Sequence, residues 1–289
     1  MRYDDLKYMP KTSSLLGEQG MSFEEAFVSN ALCCPSRATV MRGQYAHNSG
    51  VWFNRNGSDG GWEGYKDHGY ETGNVATRLS YAGYRTGLFG KYLNYYSGTT
   101  VPLGWDDWFA FLDPLRYYDY DVNDNGTTRP FGSSESGYST DVLNAETQQF
   151  IDESVDASEP FFAYVAPKAP HEPEAPAPRD LHTYDGEQAP RLLSFNEEDV
   201  SDKPSWISSL PQLSDRRIKQ IDARQEDRAE TLQALDDLVE GVVNELQTEG
   251  VLDNTYIFFT SDNGWESGEH RMPQEKGAPF PKRAFAYRS

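Results

Sequence analysis

Apolar residues recur every three or four positions over Gln225 to Leu246: Leu232, Leu235, Leu238, Val239, Val242, Val243 and Leu246. That period puts them on one stripe of an amphipathic helix. Gly250 stands just past its end, where a left-handed residue often closes a helix. A second helix is predicted over Tyr138 to Ile151, anchored by Val142, Leu143, Phe150 and Ile151. A third is predicted over Asn74 to Ala82, with Val75, Leu79 and Ala82 on one side and Gly83 as its stop. Short runs between them read as strands. They are Arg85 to Phe89, Phe161 to Val165 between Pro160 and Pro167, and the fully apolar Tyr256 to Thr260. Helices alternating with short apolar runs predict an α/β fold, a mainly parallel sheet covered by helices on both faces. Residues 95–136, rich in Tyr, Gly, Asp and Asn, read as an irregular surface excursion. Residues 167–213 carry eight prolines and read as a long loop, of the kind that often shapes a binding site.

With 289 residues the chain is long enough for one large domain with a buried core, taken as residues 1–289. The net charge of −20 argues against nucleic acid as a partner, since neutralising phosphates needs a basic face. It equally disfavours an anionic membrane surface, and no apolar run is long enough to span a bilayer. The acidity by itself is compatible with a role in solubility alone. An anionic substrate would then need a local basic pocket or a bound cation. No signal-peptide pattern stands at Met1-Arg2-Tyr3-Asp4-Asp5, and the location is left open. The two cysteines, Cys33 and Cys34, are adjacent, so they staple no distant loops; they form a vicinal disulfide or two buried thiols.

Those cysteines open the run Leu32-Cys33-Cys34-Pro35-Ser36-Arg37-Ala38-Thr39-Val40-Met41-Arg42-Gly43. Pro is tolerated in a first helical turn, so Pro35 predicts a helix to Met41 with Gly43 as its stop. Cys33 then lies just before the helix N-terminus, where free N–H groups and the helix dipole favour an anion. Arg37, one turn on, offers a guanidinium fork to oxyanions. The alternative is a buried cysteine pair at an ordinary helix start. Three further places carry candidate chemistry. Lys91 follows the Arg85 strand in Gly90-Lys91, at the end where α/β proteins place ligands, although most such lysines are simply solvated. His171, in Ala169-Pro170-His171-Glu172-Pro173, is either a general acid or a surface-loop histidine. Asp262 and Asn263, in Ser261-Asp262-Asn263-Gly264, suit either a hard cation or a common turn.

In order and spacing these segments resemble the type I sulfatases of the alkaline phosphatase superfamily, from Met9 to Phe280. The matching elements are Cys-x-Pro-Ser-Arg, Gly-Tyr-x-Thr with Gly-Lys, Pro-His-x-Pro, Ser-Asp-Asn-Gly, Gly268-Glu269-His270 and then Lys276. The Cys-Cys start and Gly90-Lys91-Tyr92-Leu93-Asn94 resemble the N-acetylglucosamine-6-sulfatase and heparan endosulfatase branch. Leu93 stands where lysosomal-type arylsulfatases carry a catalytic histidine. The resemblance implies that a formylglycine-generating enzyme oxidises Cys33 to formylglycine, whose hydrate attacks sulfur. It implies a divalent cation, Ca²⁺ or Mg²⁺, held by Asp262, Asn263 and the group at Cys33. Arg37 would favour the ionised nucleophile, Lys91 and Lys276 would neutralise the sulfuryl oxygens, and His171 would protonate the departing alcohol. The implied substrate is a sulfated sugar, glycan or aryl ester. His47 is a supporting candidate, and His270 is expected to be structural or pocket-lining.

Two features depart from the family. Sulfatases add an Asp-Asp pair after their first buried strand, and Asp4-Asp5 is expected not to be it, because no apolar strand precedes it. The first strand and its carboxylates are expected upstream of Met1. The segment Phe280 to Ser289 does not follow the family pattern, so the smaller C-terminal subdomain is expected to be lacking too. An incomplete catalytic domain that binds metal poorly follows. Rival readings are a phosphonate monoester hydrolase or phosphodiesterase of the same superfamily, and an inactive remnant that only binds sulfated glycans.

Overall fold

Side-chain caps open two of the helices in the computed structural model, which describes residues 3–23 and 25–272. The helices are α1 (Pro10–Thr12), α2 (Cys33–Arg42), α3 (Ala46–Ser49), α4 (Gly61–Asp67), α5 (Val75–Tyr81), α6 (Ser139–Asp156), α7 (Ser205–Ser208) and α8 (Asp215–Thr248). The Asn74 side chain caps α5 by accepting from the Thr77 N–H at 3.0 Å. Gly43 closes α2 in the left-handed region, its N–H reaching the Thr39 carbonyl at 2.8 Å. The helix at α8 begins well before the expected Gln225. Ser214 caps it, and the added turns carry only Ile218 and Ile221 as large apolar residues, too few to show a period. None of the helices among the described residues is long and apolar enough to cross a membrane.

The strands are β1 (Arg85–Gly90), β2 (Asp107–Phe111), β3 (Tyr120–Asp124), β4 (Thr127–Phe131) and β5 (Phe161–Ala166), in the order β4-β3-β2-β1-β5. β1 runs parallel to β2 and β5, whereas β2–β3 and β3–β4 are antiparallel, so the sheet is mixed. The α/β expectation holds, with an antiparallel end that the sequence reading left out. Residues 95–136 are accordingly not an irregular excursion. They supply three strands, and the Asn125-Gly126 turn, with positive φ at both residues, matches the twist of a two-residue hairpin.

Side-chain alternation along the strands divides the core between the two faces. Leu88, Trp108 and Ala110 pack with Cys34, Ala38 and Met41 of α2 and Ala76 of α5. Phe89, Phe109 and Phe111 pack with Leu143 and Phe150 of α6 and Leu238 of α8. Truncating such a fully buried phenylalanine to alanine costs about 3–5 kcal/mol. A third cluster seats the short 3₁₀ helix Tyr3–Tyr8 and α1 on α8, through Tyr8, Met9, Leu232 and Leu235.

The segment 256–260, expected as a short, fully apolar strand, forms no ladder among the described residues. Ile257 and Phe259 pack on the third cluster, whereas Tyr256 and Phe258 are 73% and 68% exposed. Its apolarity is thus used on one face only. Burial on both faces needs neighbours that an apolar run cannot specify.

Candidate active site

The carboxyl ends of β1 and β5 lie at one edge of the sheet because the two strands are parallel and in register, Gly90 opposite Ala166. Gly90 takes φ +109°, and a Cβ there would collide with the Ala166 carbonyl. This close approach sets the next residue. The Lys91 N–H donates to the Ala166 carbonyl at 2.8 Å, and Lys91 is 6% exposed.

Helix α2 brings Cys33 and Arg37 to the same edge. Cys33 is the first helical residue rather than the one before it, and it is buried. Its Sγ accepts from Asn263 Nδ2 at 3.4 Å. Arg37 Nε donates to Asp262 Oδ2 at 2.8 Å, and Nη1 donates to the Lys91 carbonyl at 2.7 Å. One guanidinium therefore joins α2, the end of β1 and the Asp262–Asn263 segment. Burial works most strongly, to lower the Arg37 pKa, but the Asp262 charge and hydrogen bond together with the nearby Tyr164 and Cys33 groups more than offset it and hold the group above its ordinary value. The neighbouring Cys34 thiol is pushed up to about 12, chiefly by burial. It stays protonated and unreactive at neutral pH. Its backbone N–H donates to Asn54 Oδ1 at 2.9 Å, which satisfies one of the open donors of the first turn. Both cysteines are free thiols, so the vicinal disulfide is not formed.

His171 lies in the loop that leaves β5. Its Nδ1 is 2.7 Å from the Glu172 carbonyl, and its own carbonyl accepts from Tyr117 Oη at 3.0 Å. Arg224 of α8 bonds Glu172 at 2.6 Å and Glu174 at 2.9 Å, while Arg228 donates to the Pro170 carbonyl at 3.2 Å. Both guanidinium groups face the Trp265 ring, at 5.2 and 5.6 Å. Helix α8 thus ties the His171 loop to the segment that carries Asp262. Sequence reasoning missed Asn54, Lys168, Tyr117 and this arginine pair. Only Lys168, a lysine between prolines directly after the apolar run of β5, left a trace that could have been noticed.

The remaining candidates lie elsewhere. His47 is exposed on α3 and stacks on Tyr45. His270 pairs through Nδ1 with Glu197 at 2.7 Å. Asp4 and Asp5 belong to the 3₁₀ helix packed on α8. Lys276 lies outside the described residues.

As a cation site, the described donors are few. Asp262 contributes a carboxylate already bonded by Arg37, and Asn263 contributes one amide oxygen. Hard divalent cations take six or more oxygen ligands. The one such cluster of three acidic groups among the described residues, Asp152 on α6, Glu245 on α8 and Glu249 at the C-cap of α8, does not include Cys33 or Asp262. The described residues alone do not fit a divalent cation.

A family model described as Sulfatase matches residues 3–287. The human N-acetylglucosamine-6-sulfatase is 37% identical over 280 residues, covering 93% of this chain and 50% of that protein. The extracellular sulfatase SULF-1 homolog of Drosophila melanogaster is 35% identical over 280 residues, covering 95% of this chain and 25% of that protein. The chain spans half or less of the length of these two relatives. Among solved structures, BT4656 in complex with its substrate D-glucosamine-2-N,6-O-disulfate superposes with a TM-score of 0.71 at 21% identity, covering 97% of this chain and 65% of that one. The phosphonate monoester hydrolase of Agrobacterium radiobacter superposes with a TM-score of 0.68 at 18% identity, covering 97% and 62%. At these identities the two structures show the shared fold.

Proposed function

We propose, for a chain that belongs to the sulfatase family, that it hydrolyses sulfuric esters at the side chain of residue 33. The observation that carries this reading is the convergence of Cys33, Arg37, Lys91, Asp262 and Asn263 at one edge of the sheet, linked by three hydrogen bonds of 2.7–3.4 Å. Family membership suggests formylglycine at position 33, which would supply an aldehyde hydrate as the nucleophile, and a divalent cation with Asp262 and Asn263 among its ligands. Because the described donors do not complete a cation site, no step is assigned to the ion.

The chain's own groups have definite tasks in this reading. Arg37, held by Asp262 and the Lys91 carbonyl, keeps a fixed positive charge beside position 33. Lys91 adds a second cation for the sulfuryl oxygens, which gain charge in the transition state. His171 gives a proton to the leaving alcohol, an alkoxide being a poor leaving group at neutral pH. Lys276 is proposed as a further cation on the sulfate.

The proposed substrate is a sugar sulfate of the glucosamine type, in line with the names of the relatives and with the ligand of BT4656. The fold shared with a phosphonate monoester hydrolase keeps an aryl phosphonate as the second reading. Parallel assays of glucosamine 6-sulfate, an aryl sulfate and an aryl phosphonate separate them. Faster turnover of the sulfates supports the proposal, and phosphonate turnover without sulfate turnover refutes it. Mass spectrometry of the Cys33 peptide reads formylglycine directly, because the aldehyde is lighter than the thiol.

A further inference from the structure

Lys168 is only 4% exposed, although a lysine is rarely buried without compensation. Its Nζ donates to three consecutive carbonyls, those of His171 at 2.8 Å, Glu172 at 2.8 Å and Pro173 at 3.2 Å. The ammonium has three N–H donors, and these three acceptors match them. The Tyr117 ring stands 4.3 Å away and adds a cation–π contact. Its own carbonyl accepts from the His171 N–H at 2.7 Å, so the loop is closed on Lys168 from both sides.

The middle carbonyl matters for the chemistry. The same Glu172 oxygen lies 2.7 Å from His171 Nδ1. A carbonyl oxygen only accepts, so Nδ1 carries a hydrogen in this geometry. The hydrogen bond at one ring nitrogen decides the role of the other. With Nδ1–H fixed, the proton that comes and goes is the one on Nε2.

We propose that Lys168 is a positioning residue for His171, holding the Glu172 carbonyl that fixes the imidazole with hydrogen on Nδ1 and so assigns the transferable proton to Nε2. The inference rests on the acid role given to His171 above, but its structural half is testable without turnover. Glu172 and Glu174 are held by Arg224, and Arg228 reaches the Pro170 carbonyl, so the rest of the loop keeps its own restraints when Lys168 is changed.

The test is long-range ¹H–¹⁵N spectroscopy of the imidazoles in the whole chain, whose five histidines are few enough to assign with His171→Gln as reference. Neutral His171 is expected as the Nδ1–H tautomer in the wild type. It is expected to shift toward Nε2–H in Lys168→Met and to be restored in Lys168→Arg, while the other four histidines stay unchanged. An Nε2–H tautomer in the wild type overturns the proposal without any variant, and an unchanged His171 spectrum in Lys168→Met overturns it as well. A kinetic arm uses the leaving group. Lys168→Met is expected to lose kcat on an alkyl sugar sulfate by about 10²-fold or more, the lower end of what general acids supply. An aryl sulfate, whose phenolate leaves unaided, should change only a few-fold. Equal losses on both esters speak against positioning of an acid. If the wild type shows the expected tautomer but hydrolyses neither ester, the sulfatase reading fails while the tautomer assignment stands.

Discussion

Replacing Arg37 by methionine keeps most of the aliphatic volume and removes two bonds at once, Nε to Asp262 at 2.8 Å and Nη1 to the Lys91 carbonyl at 2.7 Å. The arginine side chain is 9% exposed and that of Asp262 is 21% exposed, so the pair is mostly shielded from water. Removing one member of a buried pair costs about 3–5 kcal/mol, because the other charge is left uncompensated. Asp262 keeps some access to water, which favours the lower end. The Lys91 carbonyl adds about 1 kcal/mol for a lost acceptor partner. Relief of the arginine's own desolvation offsets part of this, and a net loss of about 3 kcal/mol results. Urea unfolding of the wild type, Arg37→Met, Asp262→Asn and the double variant forms a cycle in which each midpoint is converted at constant m. A coupling energy of about 1–3 kcal/mol is expected between the two positions, within the roughly 0.5–3 kcal/mol found for groups in direct contact. A single-variant cost under about 0.5 kcal/mol, or no coupling, would show that the guanidinium does not bridge these elements.

Other outcomes follow from single groups. The Asp180 carboxyl is pushed up to about 6, first by burial, and its Oδ2 is buried without a hydrogen-bond partner. The folded value lies above the unfolded one of about 3.9, so the folded state holds the proton more tightly and this group's contribution falls as pH rises from about 4 through 6. Asp180→Asn is expected to raise stability by about 1–3 kcal/mol at pH 7.5 and to leave it unchanged near pH 4, read from Tm at the two pH values; equal effects at both would contradict the assignment. Gly90→Ala forces a Cβ onto the Ala166 carbonyl at φ +109° and should cost about 3 kcal/mol in urea unfolding, against under 0.5 kcal/mol for an unstrained site. Calorimetry with Ca²⁺ should give a Kd weaker than about 10⁻⁴ M if the donors found at the site among the described residues, one carboxylate shared with Arg37 and one amide, are the ones available; a submicromolar Kd would refute that ligand count.

Much of the scaffold was legible because its signals are local. The stripe of α8, the anchors of α6 and the apolar runs of β1 and β5 each carry their own period or boundary. Strands β2 to β4 were overlooked because the average polarity of residues 95–136 concealed a short run, Trp108-Phe109-Ala110-Phe111, and a two-residue Asn-Gly hairpin turn. The segment 256–260 shows the opposite failure. Its composition suits a covered strand, but pairing depends on neighbours and not on the run itself. At the site, Cys33 and Arg37 could be placed from helix geometry alone. The bond from Arg37 to Asp262 spans 225 positions of sequence, and the grip of Lys168 on three carbonyls depends on the path of the backbone. Neither leaves a period to read.

The most direct measurement is sulfate release from glucosamine 6-sulfate by this chain, produced together with a formylglycine-generating enzyme and assayed in excess Ca²⁺, alongside its Cys33→Ala variant. Turnover by the wild type with a loss of about 10³-fold or more in the variant is the predicted result, the nucleophile being the group removed. Turnover by Cys33→Ala at the wild-type rate would contradict the account at its centre.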